Sequence, residues 1–133
     1  MSVEVYLATE EKSPYKRAYV GGFVYPLHAQ AGASKRHTLI GTNILGTLYT
    51  DALKAGCRLY QSDMKLVIEN STSFFYPDVM LVCSPDNGNP YAESSPCLLV
   101  EVLSESTASH DRFGKYGMYT AIPSLETYLE HLS

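Results

Sequence analysis

The stretch FFYPDVMLVCSPDNGNPYAESSPCLLVEVLS, residues 74–104, decides how the chain is read. It contains two strand-like runs. Val79, Met80, Leu81, Val82 and Cys83 form the first, entered through Tyr76-Pro77-Asp78. Leu98, Leu99, Val100, Val102 and Leu103 form the second, interrupted by Glu101. A polar loop from Ser84 to Pro90 follows the first run. Runs apolar on both faces belong to central strands of a covered sheet. A carboxylate inside such a run is costly to bury unless it is paired, hydrogen-bonded or bound to a metal. Glu101 therefore needs a partner, and Asp78, at the mouth of the neighbouring strand, is the first candidate.

The totals agree with a folded domain. The 133 residues suffice for one domain with a real core, and 45% hydrophobic with 18% charged content is that of a soluble globular protein. No apolar run reaches the ~18 residues of a membrane span. The N-terminal stretch carries Glu4 and Glu10 and lacks the pattern of a signal peptide. The three cysteines Cys57, Cys83 and Cys97 show no CxxC or metal spacing. The expectation is buried reduced thiols in a cytoplasmic protein. A net charge of −4 argues against tight non-specific nucleic-acid binding but not against a local basic patch.

Taken in order, Ser2 to Glu11 reads as a short helix capped by Ser2, stopped at Ser13-Pro14. Ala18-Tyr19-Val20, Gly21-Gly22, Phe23-Val24-Tyr25 is a hairpin signal, the glycines supplying the positive φ of a two-residue turn. Pro26 to Ser34 is a loop. From Lys35 to Ala55 the spacing is helical, with Leu39, Ile40, Ile44, Leu45, Leu48, Tyr49, Ala52 and Leu53 on one broad face and Gly56 as the stop. Gly41 and Gly46 weaken that helix, so packing must hold it, by close approach to the sheet. Short strands are expected at Cys57–Tyr60 and Met64–Glu69, and Asn70–Ser73 turns the chain into the Asp78 strand. Ser104–Thr107 is a polar link with cap candidates. Ser109–Ala121 reads as a helix packing through Phe113, Tyr116 and Tyr119, ended by Pro123, and Leu125–Leu129 begins one more strand. The class is α/β or α+β with a mixed sheet.

Several residues carry two readings. Asp78 either starts a strand or, with Glu101, holds a divalent cation through oxygen ligands. Mg²⁺ suits two carboxylates, because it shares its other positions with water and phosphate. Glu101 is otherwise a structural ion pair. Lys115 is either the i,i+4 partner of Asp111 or a cation pointing back at the acids. His37 is a surface histidine or, with Lys35 and Arg36, a phosphate contact at the positive end of a helix. Asp63 and Lys65 open a strand, and either charge could face the same cleft. The eleven tyrosines read as packing residues rather than a base-stacking platform. No Gly-rich phosphate loop, GxSxG serine or HExxH is present.

Five pieces in order are familiar: Tyr19–Tyr25; Gly32-Ala33-Ser34-Lys35-Arg36-His37; Ser62-Asp63-Met64-Lys65; Tyr76-Pro77-Asp78-Val79-Met80; and Val100-Glu101-Val102-Leu103-Ser104-Glu105-Ser106-Thr107, followed by Asp111-Arg112 and Lys115-Tyr116. Together they resemble the Uma-two family of bacterial proteins, within the restriction-endonuclease-like PD-(D/E)XK nuclease superfamily. The likeness covers nearly the whole chain. It implies a single restriction-endonuclease-like domain over residues 1–133, a mixed sheet flanked by helices, with a metal site where central strands diverge. Asp78 matches the Asp of the motif and Glu101 its second acid. The motif lysine would stand at Leu103, and in families of this kind the basic group is thought to come from the next helix, here Lys115. Two departures stand out. Ala18 replaces the glutamate usual before Tyr-Val, and Gly21-Gly22 replaces an acidic turn, so a third metal-site carboxylate is missing. The chain also ends soon after Tyr128-Leu129, where family members continue, so the expectation is either a C-terminally shortened copy or a chain of which part is not represented.

The function implied is a metal-dependent endonuclease that hydrolyses DNA phosphodiester bonds. Asp78 and Glu101 would hold Mg²⁺ (Mn²⁺ the alternative), Lys115 would complete the catalytic set, and Lys35, Arg36, His37 and Lys65 would contact DNA. A homodimer, as in related nucleases, and no membrane association complete the expectation. The competing reading is a nuclease-like module that has lost catalysis and binds nucleic acid or a protein partner.

Overall fold

The computed structural model describes residues 1–26, 34–103 and 108–132, without the side chains of residues 26, 108–113 and 132. The loop before Ser34, the link Ser104–Thr107, and the readings placed on Asp111, Arg112 and Phe113 lie outside the described residues. The elements are α1 (Val3–Glu10), β1 (Arg17–Val20), β2 (Phe23–Pro26), α2 (Lys35–Ala55), β3 (Arg58–Gln61), β4 (Lys65–Ile68), a 3₁₀ turn (Glu69–Ser71), β5 (Ser73–Phe75), β6 (Val79–Val82), β7 (Ala92–Glu93), β8 (Leu98–Leu103), α3 (Ala108–Thr120) and β9 (Thr127–Leu132). The fold is mixed α/β, with two sheets in place of the single one expected. One sheet runs β2-β1-β5-β4-β7 and the other β3-β6-β8-β9.

Local signals explain most boundaries. The Ser2 hydroxyl accepts from the Val5 N–H at the start of α1, and Ser34 accepts from the His37 N–H at the start of α2. Gly56 closes α2 in the left-handed region at φ 72°. Gly21 and Gly22 at φ 55° and 93° make the β1–β2 turn. What the sequence did not announce is the break between sheets. The segment that follows the Asn70–Ser73 turn, expected to run into the Asp78 strand, is split at Tyr76-Pro77-Asp78: β5 pairs with β1 and β4, while β6 pairs with β3 and β8. Pro77 has no N–H to give a ladder, so the chain leaves one sheet there and enters the other. The two-residue β7 is a second addition, parallel to β4.

The main core lies between the sheets. Ala18, Leu66, Ile68 and Phe75 from one meet Met80, Val82 and Leu99 from the other, with Tyr119 and Ile122 among them. Tyr6 of α1 packs on the far side of the first sheet against Tyr19 and Phe74. α2 lies against β3, β6 and β8. Among its described residues only Ala52 is buried. Leu39, Tyr49 and Leu53 are 58%, 52% and 60% exposed, so its apolar face is broader than the sheet beneath it. A Cβ at Gly41 or Gly46 would meet nothing within 4 Å, so these glycines do not mark a close approach to the sheet.

The cysteines depart from the expectation of buried reduced thiols. Cys57 and Cys83 form a disulfide, and Cys97 is free and half-buried. The spacing hid this because the bridge joins opposite residues of two antiparallel strands. The register Arg58↔Val82, continued by one residue, sets Cys57 against Cys83.

Candidate active site

The site begins with strand register. β6 and β8 pair as Val79↔Val100, Met80↔Leu99 and Leu81↔Leu98. Continued by one residue, this sets Asp78 opposite Glu101. Residues opposite each other in an antiparallel pair project from the same face. The Asp78 carboxylate is fixed there, because its Oδ2 accepts from the Val102 N–H at 2.7 Å. Glu101 is 4% exposed and flanked by buried Val100 and Val102.

α3 supplies the partners that a carboxylate at this depth needs. Lys115 and Tyr119 are four residues apart and so share a helix face. The Tyr119 hydroxyl donates to Glu101 Oε1 at 2.8 Å, and Lys115 Nζ stands 3.6 Å from Oε2. The Lys115 side chain is only 18% exposed and its ammonium lies over the Phe75 ring. Tyr119 is fully buried. Burial, then the charge and hydrogen bond of Glu101, hold its phenol well above the usual range, and Asp78 adds to the effect. Both acids thus act on one phenol. Leu103 is 3% exposed in the core.

The N-terminus of α2 closes the other side. His37 Nε2 lies 3.5 Å from Asp78 Oδ1. Lys35 and Arg36 precede it in an exposed first turn without acidic residues. Backbone N–H groups and two cations therefore stand at the end of the helix that reaches Asp78, an arrangement suited to anions.

Asp78, Glu101, Lys115 and His37 come together; Lys65 does not join them. On β5, Phe74 and Phe75 point to opposite faces. Lys65 lies over Phe74 and the Tyr6 ring, whereas Lys115 lies over Phe75. Lys65 instead lines a cavity of about 330 Å³ beside α1, with Glu10, Tyr76 and Tyr91. Burial lowers its pKa. Asp63 lines the same cavity and pairs with Lys16.

Two roles escaped the sequence reading. Tyr119 packs in the core as its helix face predicts and also donates to Glu101, a role signalled by its i,i+4 spacing from Lys115. Glu10 is a buried acid that accepts from the Arg17 guanidinium and N–H and from the Tyr76 hydroxyl. No local pattern marked it, since its partners come from β1 and from the break between sheets.

The donor set can be tested against a divalent cation. Among the described residues, no three His, Cys, Asp or Glu side chains converge as a metal site. Ala18, 4% exposed in the main core, offers no carboxylate. It is brought opposite Phe75 by continuing the β1–β5 register Tyr19↔Phe74 by one residue. Two adjacent carboxylates remain. That is a fit for Mg²⁺, which takes one or two carboxylates and completes its shell with water and phosphate.

The mixed α/β architecture with its two mixed sheets is of the restriction-endonuclease-like kind. A crystal structure described as a "putative nuclease belonging to DUF820", from Anabaena variabilis, is similar with a TM-score of 0.56. The likeness covers 77% of this chain and 63% of that one at 13% identity, and speaks for the fold alone. Residues 3–129 match the model of the Uma2 family, described as "Putative restriction endonuclease". Two uncharacterized proteins of Synechocystis sp. are 40% and 38% identical, over 97% and 93% of this chain and 67% and 70% of their own lengths. The chain belongs to the Uma2 family.

Proposed function

We propose that this chain is a metal-dependent endonuclease that hydrolyses DNA phosphodiester bonds at the Asp78–Glu101 site. The observation that carries the reading is that Asp78, one residue before β6, is bonded to the Val102 N–H beside Glu101 on β8, with Lys115 3.6 Å from the second acid. The two carboxylates would hold Mg²⁺ or Mn²⁺, which supplies acidification of water and neutralisation of charge on the scissile phosphate. The Val102 N–H orients the first carboxylate and the Tyr119 hydroxyl the second. Lys115, held against Phe75, offers a fixed positive charge to the pentavalent phosphorane-like charge that develops during displacement. Lys35, Arg36 and His37 receive the DNA backbone at the α2 terminus. Contacts of that kind position a substrate without reading its sequence, so no strong sequence preference is expected from them.

The test is nicking of supercoiled plasmid with and without Mg²⁺ by the wild type, Asp78→Ala, Glu101→Gln and Lys115→Met. Each substitution should abolish Mg²⁺-dependent nicking while circular dichroism stays native. Nicking that survives in both acid variants removes this site from the chemistry. A second reading, a nuclease-like module without catalysis, is favoured by the buried Ala18 where the family carries an acid. Calorimetric titration separates the two: no saturable binding of Mg²⁺ or Mn²⁺ at millimolar concentration supports the module.

A further inference from the structure

At the opposite end of β6 from Asp78 three sulfurs meet. Cys83 follows the last residue of β6, Cys57 precedes β3 and Cys97 precedes β8. Cys57 and Cys83 are joined, and Cys97 Sγ is in contact with Cys83 Sγ at 3.6 Å. The third sulfur is held in place by its backbone. The Cys97 N–H donates to the Leu81 carbonyl at 2.9 Å, and the Cys97 carbonyl accepts from the N–H groups of Glu126 and Thr127 at 2.9 and 3.1 Å. Cys97 is thus fixed to the strand that carries Cys83.

We propose that Cys57, Cys83 and Cys97 form a thiol–disulfide exchange site, in which Cys97 attacks Cys83 and moves the bridge from Cys57–Cys83 to Cys83–Cys97. The step balances without an outside oxidant. The Cys97 thiolate forms the new bond to Cys83 Sγ, the old bond breaks, and its electron pair leaves on Cys57, which takes up the proton that Cys97 gave to water. The closed loops differ little, with separations of 26 and 14 residues. Chain entropy, which varies only with the logarithm of loop length, therefore favours neither pairing strongly. Burial and Glu126 raise the Cys97 pKa, which keeps the exchange slow rather than forbidding it. The structural consequence is specific. The first bridge ties the residue after the Gly56 cap of α2 to the end of β6. The second joins β6 to β8, and both strand pairs are already hydrogen-bonded. Exchange moves the covalent link from the β3–β6 pair, beside the Gly56 cap of α2, to the β6–β8 pair and leaves Cys57 as a free thiol.

Two measurements test this. Free thiols of the wild-type protein are trapped with N-ethylmaleimide after an acid quench, and the bridges are mapped with trypsin and a Glu-specific protease, which cuts at Glu93 between Cys83 and Cys97. Both pairings should be found, with label on Cys57 as well as on Cys97. In a second experiment Cys57→Ser is loaded with one equivalent of thionitrobenzoate as a mixed disulfide. The chromophore should then leave by a first-order process independent of protein concentration, and should stay in Cys57→Ser/Cys97→Ser. The proposal is overturned if the wild type carries only Cys57–Cys83 with label confined to Cys97 and the loaded Cys57→Ser variant keeps its chromophore as long as the double variant does. It is equally overturned if all three thiols of the wild type stay free under oxidising conditions.

Discussion

Replacing Tyr119 by Phe removes one oxygen from the most enclosed part of the site and leaves the ring. The ring contacts, edge-on to Phe75 at 5.5 Å and to Tyr128 at 5.4 Å, have no need of the hydroxyl. What is lost is the 2.8 Å bond to Glu101 Oε1, whose side chain is only 5% exposed. A hydrogen bond to a charged group contributes about 1.5–3 kcal/mol. A chain of this length loses roughly 3–5 °C in Tm per kcal/mol, so Tm should fall by about 5–15 °C. The pH dependence gives an independent check. The folded phenol has a pKa above its unfolded value of about 10. Its contribution is therefore complete below pH ~10 and declines as pH rises toward the folded pKa, because only the unfolded phenol ionises there. The Phe variant lacks that decline. Its deficit against wild type should shrink by about 1.4 kcal/mol between neutral pH and pH 11. Urea unfolding of both proteins at pH 7 and pH 11 measures this. A loss under about 0.5 kcal/mol with a gap independent of pH would show that the phenol does not hold Glu101.

Three further outcomes follow from other parts of the fold. Arg58→Met removes the guanidinium that donates to Glu93 at 2.8 Å and leaves that acid, 4% exposed, with the donated hydrogen bond of the Tyr60 hydroxyl; the cost should be about 1–3 kcal/mol in urea unfolding, between that of exposed and buried pairs. Gly46→Ala should stabilise the protein by about 0.5–1 kcal/mol, because the helical backbone accepts Ala and the new Cβ meets nothing within 4 Å; a lower Tm would reveal a close approach at this position. Lys65→Met should leave plasmid nicking unchanged, since its ammonium lies over Phe74 on the α1 side of the sheet while Lys115 lies over Phe75; a large drop in nicking would place DNA on that side as well.

Much of the architecture was legible because its signals are local. The Ser34 cap and the Gly56 stop bound α2, and Gly21-Gly22 made the hairpin, each within a few residues of the structure it controls. The acids were legible for a different reason: a carboxylate in an apolar strand is expensive, and Glu101 announced itself by being out of place. The extent of α2 burial was not legible. Periodicity shows which residues share a face, but whether Leu39 and Leu53 are covered depends on how far the sheet extends beneath them.

The sequence by itself determined the α/β class, the family and the presence of two acids on strands that pair. Those follow from residue types and short-range spacing. Only the tertiary structure decided that Lys65 and Lys115 face opposite ways, that Tyr119 rather than a neighbour serves Glu101, and that three cysteines far apart in the chain share one rim. Each depends on how strands are ordered across the break at Pro77 and on their register, and a register shift of one residue reverses every side chain it touches.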